Sequence, residues 1–407
     1  MSADTLFERI TDYANRADPY PLYAELRENG VARQANGSYL VGSYHDIAAL
    51  LHDPRISSDS SNRADPDTVP LLRRNTQLAA FIGLDDPEHD RLRRIAMRPF
   101  GPPHSPGRID ALSGEIARIA EELAAEFRDK DRIDVVDDFA YPLPVTVICR
   151  LLGVPHEDVP RIRGWTDEII ASLDLKPGKE EEAHREAGLQ ARQAMGMYLG
   201  DLADKRRGDP SDDMLSALVH DSGPDGRLTR SELMATATLL LIAGHETTVN
   251  LITNGALTLL RDPDACRRLR ENPELMPGAV EELLRYEPPV HLLPQRTPLT
   301  DVEVSDVTVP KGAPLILVLA AGNRDPRRFD RPDRFDPARA DNQHFGFGSG
   351  VHNCFGAPLA RLETQLALHT LLPRLRDFRP AEDPPPYRRS PILRGPRHLR
   401  IERVPGP

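Results

Sequence analysis

The sequence predicts a mainly α-helical protein with a smaller β portion, and three observations support this fold class. Apolar residues recur three and four positions apart from residue 19 to about residue 205. One uninterrupted helical pattern then covers residues 230–261. After residue 288 the pattern changes to short alternating runs that are typical of strands.

The predicted elements follow one another along the chain in a clear order. Helical periodicity marks the first set of elements, at 21–28, 45–52, 87–98, 110–128, 144–152, 159–173 and 180–205. Alternation and turn residues predict strands at 38–41, 302–304, 307–309 and 314–319, with a turn at 310–312. An irregular stretch rich in Pro, Arg and Asp covers 323–339, and a last helix covers about 357–372.

Composition indicates one globular domain. Of the 407 residues, 39% are hydrophobic and 28% are charged, which is enough apolar material for a core and unlike a disordered chain. No repeat and no Gly/Ser linker divides the chain. We therefore expect a single domain over 1–407, helix-rich at about 75–286 and 354–372, with β-containing parts at about 30–60, 290–320 and 385–403.

Charge and cysteine usage exclude several classes of function. The chain has 52 basic and 63 acidic residues, so its net charge of −11 argues against nucleic acid or an anionic membrane as a partner. The start of the chain has no basic segment followed by an apolar one, and we expect a cytoplasmic monomer. The three cysteines, Cys149, Cys266 and Cys354, form no C-x-x-C, which excludes a disulfide framework and a cysteine-rich zinc site.

The 230–261 segment has clear start and stop signals. Thr229 and Glu232 fit a capping box, and Asp262-Pro263 ends the pattern. At 1.5 Å per residue this helix is roughly 48 Å long, enough to serve as the spine of the fold.

The middle of this central helix carries polar residues where a core is expected. A buried carboxylate at Glu246 costs several kcal/mol unless it is paired or solvated, and Gly244 costs about 1 kcal/mol of helix propensity. Leu239, Ala243 and Thr247 are spaced by four and form one stripe, where the small Ala243 leaves room for a flat group. The alternative is a purely structural kink, with the threonines bonded to backbone carbonyls and Glu246 in a buried ion pair.

Residues 347–356 form a second unusual segment, a glycine-rich loop around Cys354. Cys354 precedes a helix whose first turn contains Pro358, and a helix amino terminus stabilises a thiolate. The loop is therefore a candidate for a metal ligand or a nucleophile. A dinucleotide-binding fingerprint starting at Gly348 is excluded, because Asn353 stands where the third glycine is required.

Taken together, the two segments resemble the cytochrome P450 family of the soluble bacterial type. The haem-binding pattern F-G-x-G-x-H-x-C-x-G is matched by Phe347, Gly348, Gly350, His352, Cys354 and Gly356. The pattern A-G-x-[DE]-T-[ST] is matched by Ala243, Gly244, Glu246, Thr247 and Thr248, and the E-x-x-R pair is matched by Glu282 and Arg285.

The resemblance implies haem b with the Cys354 thiolate as the axial ligand of the iron. It assigns Thr247 to hydrogen-bonding dioxygen and Glu246 to passing protons inward through water. It places four side chains on the haem propionates, namely His89, Arg93, Arg296 and His352. Glu282 and Arg285 are expected to hold the irregular stretch in place.

The function that the resemblance implies is a monooxygenase that hydroxylates or epoxidises a hydrophobic small or medium organic molecule, in bacterial secondary or xenobiotic metabolism. O2 and electrons from a ferredoxin and an NAD(P)H-dependent ferredoxin reductase are implied. Alternatives are oxidative coupling, desaturation or bond cleavage by the same haem, and a haem-based ligand sensor, which has no need of Glu246 and Thr247.

By analogy with the family, the substrate pocket is lined by the 57–82 loop, the 165–189 segment and a set of apolar residues: Leu239, Ile242, Ala243, Val290, Leu292, Leu293 and Ile392. A second expectation concerns the electron donor. Arg91, Arg94 and Arg98 recur on one helix and are expected to form a basic patch for an acidic ferredoxin.

Overall fold

A computed structural model of the chain describes residues 5–65, 80–101, 105, 107–172 and 179–404. The described chain is mainly helical with a smaller β portion, which confirms the predicted fold class. The predicted 57–82 loop and 165–189 segment lie partly outside the described residues.

The helices agree closely with the predicted pattern. In chain order they are α1 Leu6–Thr11, α2 Tyr20–Asn29, α3 Tyr44–His52, α4 Glu88–Met97, α5 Ser113–Ala125, α6 Pro142–Leu152, α7 Val159–Ala171, α8 Lys179–Gly208, α9 Met214–His220, α10 Arg230–Arg261, α11 Pro263–Glu271, α12 Met276–Tyr286, α13 Leu319–Gly322 and α14 Ala357–Leu375.

The strands are short. They are β1 Ala32–Arg33, β2 Tyr39–Val41, β3 Ile56–Ser57, β4 Arg132–Asp134, β5 Leu292–Pro298, β6 Val302–Val304, β7 Val307–Val309, β8 Leu315–Val318, β9 Phe378–Pro380 and β10 Arg400–Arg403. The main sheet has the order β1-β2-β8-β5-β3. β2 and β8 are parallel, and the other pairs in this sheet are antiparallel.

The described residues divide into two compact units. The first comprises Met1–Arg73, Ala117–Tyr141 and Thr247–Pro407, and it contains all the strands named above. The second comprises Arg74–Ile116 and Pro142–Glu246 and is helical where described. α10 contributes residues to both units.

Strand β5 was not predicted, because its sequence contains Pro294 and Pro298. Proline donates no ladder hydrogen bond and normally argues against an inner strand. Here the register against β8 shifts between Leu293 and Arg296, and this irregularity accommodates Pro294. Pro298 closes the strand opposite Ile56 of the edge strand β3.

The central helix α10 has the predicted ends. The Thr229 N–H donates to Glu232 Oε2 over 2.8 Å, and the Glu232 N–H donates to Thr229 Oγ1 over 3.2 Å. Asp262 ends α10 and caps α11, accepting from the Ala265 N–H over 2.9 Å. The capping box and the stop signal are both confirmed.

The first unit contains a fully buried ion pair on α12. Arg285 donates to both oxygens of Glu282 over 2.8 Å, and both side chains are 0% exposed. Its remaining N–H groups donate to the carbonyls of Asn323, Pro332 and Arg334, at 2.9, 2.8 and 3.2 Å. Arg285 therefore fixes the irregular stretch to α12, as the sequence led us to expect.

Glu282 completes the network from the acidic side. It accepts from the Asp336 N–H over 3.0 Å, from Arg339 Nε over 3.0 Å and from Asn342 Nδ2 over 3.2 Å. A carboxylate buried without such donors costs several kcal/mol, so these contacts explain how the pair is tolerated in the core.

We expect Arg285→Lys to lower the free energy of unfolding by about 3 kcal/mol or more, because lysine cannot satisfy the carboxylate and the three carbonyls at once. The matched control is Arg376→Lys, whose partner is the exposed Asp377 at 3.0 Å and whose loss costs less than about 1 kcal/mol. Thermal and urea unfolding measure both variants. Equal losses of unfolding free energy in the two variants would contradict the role of Arg285 in fixing the irregular stretch to α12.

Candidate active site

The cysteine loop is held by its own backbone. The Cys354 N–H donates to the Phe347 carbonyl over 2.9 Å, and the Asn353 N–H donates to the Gly350 carbonyl over 3.0 Å. α14 begins at Ala357, directly after the loop. Cys354 is exposed and lies close to the positive end of this helix, where a thiolate is favoured.

Two glycines of the loop have backbone conformations that disfavour other residues. Gly348 and Gly350 both have φ of +68°. A Cβ at Gly350 would lie 2.2 Å from the Leu51 carbonyl oxygen, whereas a Cβ at Gly348 would meet only the His352 carbonyl oxygen, at 3.8 Å. The loop therefore needs glycine at 350 for close packing and presents an open face at 348.

Side chains from distant parts of the first unit anchor the loop. The Phe345 N–H donates to Asn323 Oδ1 over 2.7 Å, and the Asn323 amide also donates to the Leu284 carbonyl over 3.3 Å. His52 Nε2 lies 2.8 Å from Ser349 Oγ. The anchoring roles of Asn323 and His52 were not predicted from the sequence, because their partners are far away in the chain.

His352, a predicted propionate ligand, also serves as an anchor. Its Nε2 lies 2.8 Å from the hydroxyl of the buried Ser58. This contact ties the short helical turn Gly350–His352 to the segment after β3. The propionate role of His352 stays a prediction.

Ion pairs stabilise the junction between α12 and α14. Glu281 accepts from Arg361 over 2.6 and 2.9 Å and lies 3.2 Å from His344 Nε2. Burial acts to raise the pKa of Glu281, but the hydrogen bonds from Arg361 and His344 outweigh it and lower the pKa to about 2. The Arg361 guanidinium also lies over the Phe347 ring at 4.6 Å, so this ion pair supports the loop directly.

A second acidic residue that the sequence analysis missed is Glu363 on α14. It is 1% exposed, and no hydrogen bond to its Oε2 exists within the described residues. Burial raises its pKa to about 8, so the carboxyl group is protonated at neutral pH. The sequence signal that could have identified this residue is a glutamate among apolar neighbours in the pattern of the last helix.

The predicted stripe on α10 is more accessible than most of the helix centre. Ala243 is exposed, and Leu239, Ile242 and Thr247 are half-buried. Glu246 is 1% exposed. The stripe thus combines apolar side chains with one hydroxyl, next to a buried carboxyl group.

Gly244 has a packing role in the second unit. A Cβ at this position would lie 3.3 Å from Ile148 Cδ1 on α6, which is tighter than ordinary contact. The cost of a glycine within the helix is therefore offset by the close approach of α6.

His89 and Arg93 lie four residues apart on α4, as predicted. His89 is 2% exposed, and its Nδ1 lies 3.3 Å from Asp86 Oδ1. Arg93 is half-buried. Arg296 on β5 is 6% exposed and donates to the Gln295 carbonyl over 2.6 Å. The propionate roles of these three residues stay predictions.

The other predicted pocket residues lie on or beside β5. Leu292 is 2% exposed and packs in a core cluster with Tyr23 and Leu26, and Ile392 contacts the same cluster. Leu293 and Val290 are partly buried against a separate cluster. Since neighbouring residues of a strand point to opposite faces, Leu292 and Leu293 do not share one surface. Their roles in substrate binding stay predictions.

The three arginines on and after α4 do not form a free basic patch. Arg91 pairs with Glu232, and Arg94 pairs with Asp90 and, at 2.8 Å, with Asp225. Arg98 pairs with Asp221 and Asp225. These carboxylates balance the positive charge, so the prediction of a basic docking patch here is wrong.

The residues that are present fit a flat prosthetic group bound through sulfur. Cys354 is accessible, and the position of a Cβ at Gly348 is nearly open. A Cβ at Gly356 would meet Cys354 Sγ at an ordinary contact distance of 3.7 Å. A single thiolate beside small residues suits haem, in which four other ligands come from the porphyrin.

The two loop glycines give a matched test of this packing. We expect Gly350→Ala to prevent the loop from closing on Leu51 and to reduce haem retention severely, because the strain at positive φ is added to a backbone clash. Gly348→Ala carries only the conformational strain, about 1 kcal/mol. Haem content and thermal unfolding measure the difference, and equal behaviour of the two variants would contradict it.

Comparisons with known proteins agree with this geometry. The family model described as Cytochrome P450 matches residues 38–402. Cytochrome P450 monooxygenase PikC of Streptomyces venezuelae is 41% identical over 370 residues, which are 89% of this chain and 85% of that protein. Mycinamicin IV hydroxylase/epoxidase of Micromonospora griseorubida is 37% identical over 389 residues, 93% of this chain and 94% of that protein.

A solved structure matches over nearly the whole chain. It is the myxobacterial cytochrome P450 CYP267B1 in complex with myristic acid, with a TM-score of 0.87 and 37% identity, covering 98% of this chain and 100% of that chain. In the described part of the chain, no helix has the length and apolar content needed to cross a membrane. The chain belongs to the cytochrome P450 family, whose members bind haem b through a cysteine thiolate, and it is an oxidoreductase of the monooxygenase type.

Proposed function

We propose that this P450 hydroxylates or epoxidises a hydrophobic small or medium organic molecule in bacterial secondary metabolism. The observation that carries the proposal is the accessible stripe on α10, where apolar side chains adjoin the Thr247 hydroxyl and the buried Glu246. The names of the relatives support it, since they include a mycinamicin IV hydroxylase/epoxidase and a P450 in complex with myristic acid.

The residues that would hold haem come from both segments identified in the sequence. Cys354 would ligate the iron, and three small residues of the two motifs would allow the ring to approach: Ala243, Gly348 and Gly356. Gly244 and Gly350 would hold the two segments in position through their close packing on Ile148 and Leu51. His89, Arg93, Arg296 and His352 would bind the propionates. When bound, haem with a thiolate ligand supplies the reductive activation of O2.

Two residues of α10 would control the delivery of protons to the site. Thr247 Oγ1 would hold a proton at the accessible face of α10 and donate a hydrogen bond there. The Glu246 carboxyl group, buried one residue earlier, would replace that proton through water. Leu239 of the stripe and the neighbouring Ile242 would exclude bulk water at this face and orient the substrate.

The electron donor that we propose is a ferredoxin, reduced by an NAD(P)H-dependent reductase, acting on a monomeric chain in the cytoplasm. P450 monooxygenases use redox partners and O2, and the relatives that match over most of this chain are bacterial P450s. The paired arginines near α4 do not supply the docking charge, so the ferredoxin would bind elsewhere.

Coupling, desaturation or bond cleavage remains open to the same site, because each depends on where the substrate is held. A ligand sensor is less well supported, since it has no use for Thr247 beside Glu246, and the relatives are named as monooxygenases and hydroxylases. Product analysis separates these outcomes.

Thr247→Ala tests the proposed proton control. We expect unchanged substrate affinity, because the methyl-sized side chain keeps the apolar surface. We also expect product formed per NAD(P)H oxidised to fall about 10-fold or more, with hydrogen peroxide taking up the difference. Reductant consumption, peroxide and product are measured together.

Thr253→Ala is the matched control on the same helix. The Thr253 hydroxyl is buried and donates to the Val249 carbonyl over 2.8 Å, so its loss affects only packing. Thr253→Ala should form as much product per NAD(P)H oxidised as the native chain. If Thr247→Ala also did so, the proposed role of Thr247 in proton control would be contradicted.

A further inference from the structure

A positive charge lies beside the cysteine loop. Arg361 is in the second turn of α14, the helix that begins directly after the loop. Its guanidinium carbon lies 4.6 Å from the centroid of the Phe347 ring. The Phe347 carbonyl in turn accepts the Cys354 N–H over 2.9 Å. A cation is thus held against the aromatic residue whose backbone is hydrogen-bonded to the predicted iron ligand.

Glu281 on α12 holds this guanidinium in place. It accepts from Arg361 Nε over 2.6 Å and from Arg361 Nη2 over 2.9 Å. His344 Nε2 lies 3.2 Å from the same carboxylate. Because His344 Nδ1 accepts from the Gly346 N–H over 3.0 Å, its Nε2 carries the ring proton and donates to Glu281. The carboxylate is therefore bound both by α14 and by the segment just before the cysteine loop, which fixes the guanidinium over the ring.

The pair is charged at neutral pH and is coupled to the cysteine. Burial acts to raise the pKa of Glu281, but hydrogen bonds from Arg361 and His344 lower it to about 2. The hydrogen bonds to Glu281 raise the pKa of Arg361, and the negative charge of a Cys354 thiolate raises it further. Since the interaction between two charges is mutual, the Arg361 guanidinium also stabilises negative charge on the thiolate.

The direction of the effect on the iron follows from charge. One-electron reduction of ferric to ferrous iron adds one negative charge to the iron and its thiolate ligand. A cation nearby stabilises the reduced state and raises the reduction potential, whereas an anion nearby lowers it. The Arg361 and Glu281 side chains are 37% and 30% exposed, so water screens part of each effect without removing it.

We propose that Arg361 and Glu281 set the reduction potential of the haem-thiolate, with Arg361 raising it and Glu281 lowering it. Both are positioning residues, because they act through the thiolate and Phe347. The property they control is the acceptance of the electron that a ferredoxin delivers, since a higher potential makes that transfer more favourable. This inference rests on the proposed function, because it requires Cys354 to ligate the iron.

The test is a spectroelectrochemical titration of the haem-loaded native chain and of two variants that each remove one charge. In Arg361→Gln we expect a more negative midpoint potential, with the equilibrium constant for reduction falling about threefold or more. In Glu281→Gln we expect a more positive midpoint potential, with that constant rising about threefold or more. A purely structural role would move both variants in the same direction, because either substitution loosens the same loop.

Two further variants separate charge from shape and from position. Arg361→Lys keeps the charge and loses the paired hydrogen bonds, and its potential should stay close to the native value. Arg374→Gln is the control on the same helix, because Arg374 pairs with Glu121 at 2.9 Å and lies about 20 Å further along α14. Its potential should equal that of the native chain.

Anything other than opposite shifts in Arg361→Gln and Glu281→Gln would overturn the proposal. An Arg361→Lys potential equal to that of Arg361→Gln would also overturn it. If Arg361→Gln retains no haem, Glu281→Gln decides, and an unchanged or lower potential in that variant counts against the proposal. The spectrum of the reduced native chain with carbon monoxide keeps the two claims separate, because a thiolate-type band supports the proposed function whichever way the potentials move.

Discussion

The buried pair of Glu282 and Arg285 is the interaction on which the site depends. The irregular stretch before the cysteine loop has little regular secondary structure of its own, so side chains must satisfy its backbone. Arg285 binds the carbonyls of Asn323, Pro332 and Arg334. The Asn323 side chain then accepts a hydrogen bond from the N–H of Phe345, which lies just before the cysteine loop. The position of Cys354 thus follows from a charge pair on α12.

Charge balance explains much of the rest of the structure. The chain carries 52 basic and 63 acidic residues, and Arg91, Arg94 and Arg98 of the second unit each pair with a carboxylate more than 100 residues away. Pairing of this kind neutralises the three arginines on and after α4 and leaves no basic patch there.

The sequence predicted the parts of the site that depend on local spacing. The capping box, the stripe on α10 and the cysteine loop before α14 all depend on residues within ten positions of one another, and all appear where expected. Strand β5 was missed, because its prolines argue against a strand and only the register shift against β8 admits Pro294. The anchors Ser58 and His52 were missed, because their partners lie 294 and 297 residues away. The α4 arginines were misjudged for the same reason, since Arg91 and Glu232 are 141 residues apart.

The most direct test of the account is the absorption spectrum of the purified protein, reduced and exposed to carbon monoxide. If Cys354 is the axial ligand, the spectrum shows the thiolate-type band, Cys354→Ala abolishes it, and Cys149→Ala, which removes a buried thiol, retains it. A histidine-type band, or a thiolate band that survives Cys354→Ala, would contradict the assignment of the cysteine loop and with it the proposed function.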